Sequence, residues 1–137
     1  LDLEKRVQNI KDLLGQVKPY ESSRIDKLRE KLHLSAKEFV RKETFDENRY
    51  EQEVMYYLEK IDITEEKVRL DQHCIYFLDT LKEKDAQKGR KLGFIAQEIG
   101  REINTLGAKA NDSNIQKIVV QMKDELEKIK EQIANIV

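Results

Sequence analysis

The stretch Gly89-Arg90-Lys91-Leu92-Gly93-Phe94-Ile95-Ala96-Gln97-Glu98-Ile99-Gly100-Arg101-Glu102-Ile103-Asn104-Thr105-Leu106-Gly107-Ala108-Lys109 decides the fold class. Leu92, Ile95, Ala96, Ile99, Ile103 and Leu106 recur at three- and four-residue steps, as one buried helix face requires. At about 100° per residue the opposite face collects Phe94, Gln97, Glu98, Arg101 and Thr105, with Glu102 at its border. This polar face combines a guanidinium, two carboxylates four residues apart, an amide, a hydroxyl and an aromatic ring. Gly93 and Gly100 each cost a helix interior about 1 kcal/mol relative to Ala, so both predict close approach of another backbone or a ligand.

Downstream, Gly107 predicts a helix C-cap, and Asp112 or Ser113 the N-cap of the next helix. Ile115, Val119, Met122, Leu126, Ile129, Ile133 and Ile136 then form an unbroken heptad seam of coiled-coil grade. Upstream, Asp62 or Thr64 predicts the cap of a helix whose core face is Ile63, Leu70, Cys74, Phe77, Leu78 and Leu81. Asp62, Glu65, Glu66, Arg69 and His73 share a second stripe beside that face. Glu65–Arg69 pairing at i,i+4 accounts for part of it, at about 0.3–0.5 kcal/mol. It leaves His73 without an explanation.

Nearer the N-terminus, Leu3, Val7, Ile10, Leu14 and Val17 make a short heptad that Pro19 interrupts. Ile25, Leu28 and Leu32 follow out of phase. The pattern fades from His33 to Asp46, which predicts a turn or loose connection, with His33 solvated. Asp46 or Asn48 then starts a helix with the stripe Tyr50, Val54, Tyr57, Leu58 and Ile61. The fold class is therefore all-α: long antiparallel helices, with residues 1–59 as a coiled-coil-like arm and 60–137 as a compact C-terminal bundle. The heptads predict a homo-oligomer, with Leu3 to Val17 available to pair with the Ile115–Ile136 seam or with a symmetry mate.

The 137 residues suit one domain or a part of a larger one. The chain begins at Leu1, without Met and already in a helical pattern, and reads as a fragment of a longer protein. Charged residues make up 39%, with one Pro, five Gly and no Trp, a composition fit for long helices. No apolar run approaches the roughly 20 residues of a membrane span, and no signal peptide is visible. A lone Cys74 excludes an internal disulfide and fits a reducing cytoplasm, with core filling as its role. Net charge is −1, but its distribution is uneven: +2 over residues 1–46, −5 over 47–87 and +2 over 88–137. From charge alone these are ordinary solvated helix faces; the alternative is metal ligands in the acidic middle beside an RNA-tracking surface on the basic flanks.

The central stretch also carries a resemblance. Gly89-Arg90-Lys91-Leu-x-Phe, then Gln97-Glu98-x-x-Arg101-Glu102-x-Asn104-Thr105-Leu106-x-x-Lys109, resembles the C-terminal signature of the YicC/YloC-like endoribonucleases. The match extends upstream through Asp62-Ile63-x-Glu65-Glu66-x-x-Arg69-Leu70-x-x-His73 and downstream through Asn111 to Gln132-Ile133-x-Asn135-Ile136. The chain departs from the family pattern at Gly93 and Gly100, where Asp and Asn are common. It departs again at Ala108 and Ala110, where Ser flanks the lysine.

The resemblance implies a metal-dependent endoribonuclease with RNA as partner. RNA cleavage needs either activation of the 2′-OH with protonation of the leaving 5′-oxygen, or a metal-bound water. His73 is the candidate acid or base, grouped with Glu98, Arg101 and Glu102 as the catalytic set. Glu98 and Glu102, with Asp62, Glu65 and Glu66 from the preceding helix, are candidate oxygen ligands for Mg or Mn. Arg90, Arg101 and Lys109 suit phosphate clamping; Arg69, Lys91, Asn104 and Thr105 join them as RNA contacts through the signature. The competing expectation is a non-catalytic helical adaptor that assembles through its heptads and binds RNA.

Overall fold

The computed structural model describes residues 2–40, 47–110 and 112–136, and places six helices in them. These are α1 (Asp2–Gly15), α2 (Lys18–Val40), α3 (Glu47–Ile61), α4 (Thr64–Leu81), α5 (Lys88–Lys109) and α6 (Ser113–Ile136). No strand occurs among the described residues, so the chain is all-α as its periodicities require.

Four of the helices make one core. α5 packs against α4 and α6, and α1 packs against the same two. Each neighbouring pair runs antiparallel: Arg6 meets Glu125 and Asp2 meets Gln132 across α1 and α6, while Arg69 meets Glu102 and Lys109 meets Glu66 across α4 and α5. The apolar face read from the central stretch, Leu92, Ile95, Ala96, Ile99, Ile103 and Leu106, is buried throughout. So are Ile63, Leu70, Cys74 and Phe77 of α4, with Leu78 and Leu81 partly covered at the edge. A fully buried side chain of this size is worth about 1.5–3 kcal/mol, and this cluster is what holds the bundle together. Cys74 lies inside it, and burial, with a smaller push from Asp71, raises its thiol to about 12. The thiol is core filler and no nucleophile.

The α6 heptad is also spent inside the chain. Ile115, Val119, Met122, Leu126, Ile129 and Ile133 are buried in the cluster formed with α1 and α5. Leu3, Val7, Ile10 and Val17 belong to that same cluster, so α1 is a member of the bundle and not part of a separate arm. The seam that motivated a homo-oligomer is thus filled by a helix from the far end of the same chain.

Close approach of α5 and α6 rests on two glycines. A Cβ on Gly100 would lie 3.1 Å from Leu126 Cδ2, and one on Gly107 3.1 Å from Val119 Cγ1. The pairs are one heptad apart on each helix. Gly107 therefore sits within α5, which runs on to Lys109, and is not the expected C-cap. Gly93 meets nothing within 4 Å.

The helix ends are closed by side chains. Asp112 Oδ1 accepts from the Asn114 and Ile115 N–H groups at 2.9 and 3.0 Å, capping α6. Gln116 Nε2 donates to the Gly107 and Ala110 carbonyls, closing α5. Lys88 Nζ reaches the Leu81 and Glu83 carbonyls at 3.2 and 3.3 Å, where a cation suits the carboxyl end of α4.

α2 and α3 pair with each other beside the bundle. Pro19 stands in the first turn of α2, where its missing N–H costs nothing, so it begins a helix rather than merely ending one. Helix continues through the expected fading region as far as Val40; the rest of that region, including Asp46, lies outside the described residues. Good helix formers such as Lys, Glu, Leu and Ala sustain it without a strong apolar stripe. Asn48 falls within α3 instead of capping it, and of the α3 stripe Val54 alone is fully buried.

Candidate functional site

The chemistry-bearing residues of α4 and α5 separate into two groups. The first is a buried charge network at the α4 N-terminus and α5 C-terminus. Glu66 is 2% exposed and Glu102 5%, positions a carboxylate occupies only when paired. Arg69 provides the link: its Nε donates to Glu102 Oε1 at 3.0 Å, its Nη1 to Glu65 Oε2 at 3.1 Å, and its Nη2 lies 3.7 Å from Glu66 Oε1. Lys109 Nζ completes Glu66 at 2.8 Å and reaches the Asp62 carbonyl at 3.4 Å. The Glu102 carboxylate, and then that of Glu65, raises the Arg69 guanidinium pKa further above its usual range. One oxygen of each buried carboxylate, Glu66 Oε2 and Glu102 Oε2, has no hydrogen-bond partner among the described residues.

Arg24 belongs to this end as well. It is 6% exposed, and its Nη2 donates to the Ile61 carbonyl at 2.7 Å while Nη1 donates to the Lys109 carbonyl at 3.2 Å. One guanidinium therefore closes the carboxyl ends of both α3 and α5, tying the α2–α3 pair to the bundle. Burial lowers its pKa from the usual value. A lone arginine before the Ile25–Leu28–Leu32 seam carries no local signal of that role, because both acceptors come from distant sequence.

Asp62 faces elsewhere. Its Oδ1 accepts from the Thr64 hydroxyl at 2.6 Å and the Thr64 N–H at 3.0 Å, fixing the first turn of α4. The Thr64 hydroxyl, then its N–H, holds the Asp62 carboxyl below the usual carboxylate range. The expected metal set of Asp62, Glu65, Glu66, Glu98 and Glu102 consequently does not come together. Among the described residues no group of three or more His, Cys, Asp or Glu side chains could hold a metal ion. The physical reason is that Arg69 and Lys109 pair with Glu65, Glu66 and Glu102, and the Asp62 carboxylate is held by Thr64.

The second group is the exposed face of α5. Arg90, Phe94, Gln97, Arg101 and Asn104 follow one another at three- and four-residue steps, and all five are exposed. No carboxylate stands on this stripe. The Arg101 guanidinium and the Gln97 and Asn104 amides bond to no described residue, and Arg90 Cζ stacks 6.0 Å from the Phe94 ring centroid. Phe94 itself is 57% exposed. Thr105 is half-buried and donates its hydroxyl to the Arg101 carbonyl at 3.0 Å. Beside the stripe, Lys91 Nζ lies 5.1 Å from the centre of the Tyr76 ring and 3.2 Å from Glu83 Oε1. The Tyr76 hydroxyl, then Glu83, raises the Lys91 pKa.

The expected catalytic set is divided between these groups. Glu102 is sequestered with Arg69, while Arg101 points to solvent. His73 and Glu98 are both half-buried. The pairs Arg69–Glu102 and Tyr76–Lys91 set the register, which brings His73 level with Glu98 across the α4–α5 seam. Of the expected RNA contacts, Arg90 and Asn104 lie free on the stripe and Lys91 beside it; Arg69 and Lys109 are held in the network.

Fold and site together define an all-helical bundle with an attached helical pair and an α5 face whose Arg101, Gln97 and Asn104 side chains pair with nothing among the described residues. The chain belongs to the YicC-like endoribonuclease family: residues 17–137 match the family described as endoribonuclease YicC-like, C-terminal. It is 43% identical over 136 residues to a probable endoribonuclease YicC of Clostridioides difficile, covering 98% of this chain and 46% of that protein. It is 40% identical over 91 residues to a probable endoribonuclease YicC of Haemophilus influenzae, covering 66% of this chain and 31% of that protein. The chain thus spans less than half the length of either relative. The match from residue 17 takes in α2 and α3 along with the region after residue 60.

Proposed function

We propose that this chain is the RNA-contacting part of an endoribonuclease, with the exposed face of α5 as its RNA surface. The observation that carries this is the pair Arg90 and Arg101, about 16 Å apart along one helix face, flanking Phe94 and Gln97 with Asn104 beyond. Guanidiniums without a carboxylate partner are free to take phosphate oxygens in bidentate fashion. The printed names of the two relatives supply the activity class. In cleavage, His73 is the proton-transfer group, with Glu98 facing it across the α4–α5 seam, and Arg101 binds the phosphate nearby.

The second reading is an RNA-binding adaptor without chemistry. It gains from the pairing of Glu66, Arg69, Glu102 and Lys109 with one another, which leaves the two carboxylates buried inside the fold.

The test uses full-length protein and a labelled RNA followed by fluorescence anisotropy across a salt series. Arg90→Ala with Arg101→Ala removes two phosphate contacts and lowers the slope of log affinity against log salt by about 1.5. Unchanged affinity and slope would place the RNA surface elsewhere. His73→Ala then separates the two readings: a drop in cleavage of about 10²-fold with binding intact is the mark of the enzyme. Cleavage within about threefold of wild type, a change of only ~0.65 kcal/mol, favours the adaptor.

A further inference from the structure

We infer that the α5 face takes single-stranded RNA, with bases stacked on Phe94 and on Tyr76; this rests on the α5 face being the RNA surface. Four observations lead there. The Phe94 ring is 57% exposed and the Tyr76 ring 46%, whereas Phe77, next to Tyr76 in α4, is fully buried. Each ring carries a cation against it, Arg90 at 6.0 Å and Lys91 at 5.1 Å from the centroids. Those cations sit at consecutive positions at the start of α5, so the two platforms stand at neighbouring levels along its axis. Tyr76 lies at the level of Lys91, and Phe94 follows three residues later, about 4.5 Å along the helix axis.

The chemistry of the two forms of RNA then decides between them. In a duplex the base faces are covered by their neighbours, and the A-form major groove is too deep and narrow for a helix to read. A duplex therefore meets this surface through phosphates alone and leaves both rings in water. A single strand offers free base faces to the rings and phosphates to Arg90 and Arg101 in the same contact. The exposed amides of Gln97 and Asn104, on the same stripe, are placed to bond base edges that stacking has turned toward the helix.

The experiment compares three labelled probes of one length on full-length protein: a single-stranded oligoadenylate, a duplex RNA and an abasic single strand. Phe94→Leu keeps apolar bulk and removes the π face. It is expected to weaken the oligoadenylate about tenfold, to leave the duplex and abasic probes unchanged, and to leave the salt slope as it was. Tyr76→Leu acts in the same direction with a smaller loss. Arg101→Ala is the control for the underlying reading, since it weakens all three probes and lowers the slope. If Arg101→Ala has that effect and Phe94→Leu changes nothing, stacking is overturned and the RNA surface stands. If Phe94→Leu weakens all three probes alike, stacking is also overturned, because the abasic strand has no base to lose. If neither variant alters any probe, both readings fall together. Both rings are largely exposed, so helical content and melting temperature should stay at wild-type values in each variant.

Discussion

The two ends of the α4–α5 pair use the same residue types to opposite effect. Where α4 begins and α5 ends, Glu66, Arg69, Glu102 and Lys109 pair with one another, and Arg24 closes two helix ends from inside. On the outer face of α5, Arg90 and Arg101 meet no carboxylate. A charge already neutralised within the fold has no field left for a ligand, whereas a solvated guanidinium keeps its full donor set. The family signature threads both regions, so a match to it mixes residues that build the bundle with residues that face outward.

The largest expected effect lies in the buried end. Arg24→Ala removes charged donors from the Ile61 and Lys109 carbonyls and leaves both short of a partner, a loss of about 3 kcal/mol in urea unfolding. RNA affinity of the folded protein should stay unchanged. Loss of RNA binding with little loss of stability would collapse the contrast between the two ends.

Asp62 sharpens the contrast through pH. Its carboxyl is held below the usual value by Thr64, so the stability it contributes is complete above the unfolded-state pKa and is lost as pH falls through the folded one. Asp62→Ala should cost about 1 kcal/mol at neutral pH and progressively less below about pH 4. Unfolding curves at the two pH values measure it. A cost that does not shrink in acid would deny the charged cap.

Gly93 and Gly107 give the smallest and most local comparison. Gly93→Ala gains helix propensity in open space and should stabilise by about 0.8 kcal/mol. At Gly107 the new Cβ meets the stiff, branched Val119 at 3.1 Å, and that gain should disappear. Thermal melts of the two variants decide. Equal gains would mean that α5 and α6 have room to spare.

What the sequence revealed followed the range of each interaction. The α5 core face, the α6 heptad and the Asp112 cap were legible because the residues concerned are neighbours on one helix. The place of α1 is legible only as one of two pairings, with α6 or with a symmetry mate, since its partners come from the opposite end of the sequence. Arg24 was invisible for the same reason. Glu102 was read as a catalytic carboxylate because spacing alone does not say which flank of a helix faces a neighbouring arginine. Arg90, Phe94 and Arg101 were legible in type, and only the fold shows that nothing in the described chain covers them.

The connection between α1 and α4 has a kinetic consequence. Residues 16–63 separate these two bundle neighbours, while only 82–87 separate α4 from α5. By loop-closure entropy the longer link costs roughly 2 kcal/mol more to close. α4, α5 and α6 can assemble from local contacts, so docking of α1 is the slow, long-range event of folding. During synthesis the order is harsher, because α1 leaves the ribosome before α2 to α5 and its partner α6 comes after all of them. Until then Leu3, Val7 and Ile10 have nothing to cover them, and an α1 from a second copy would fit the same groove as the chain's own.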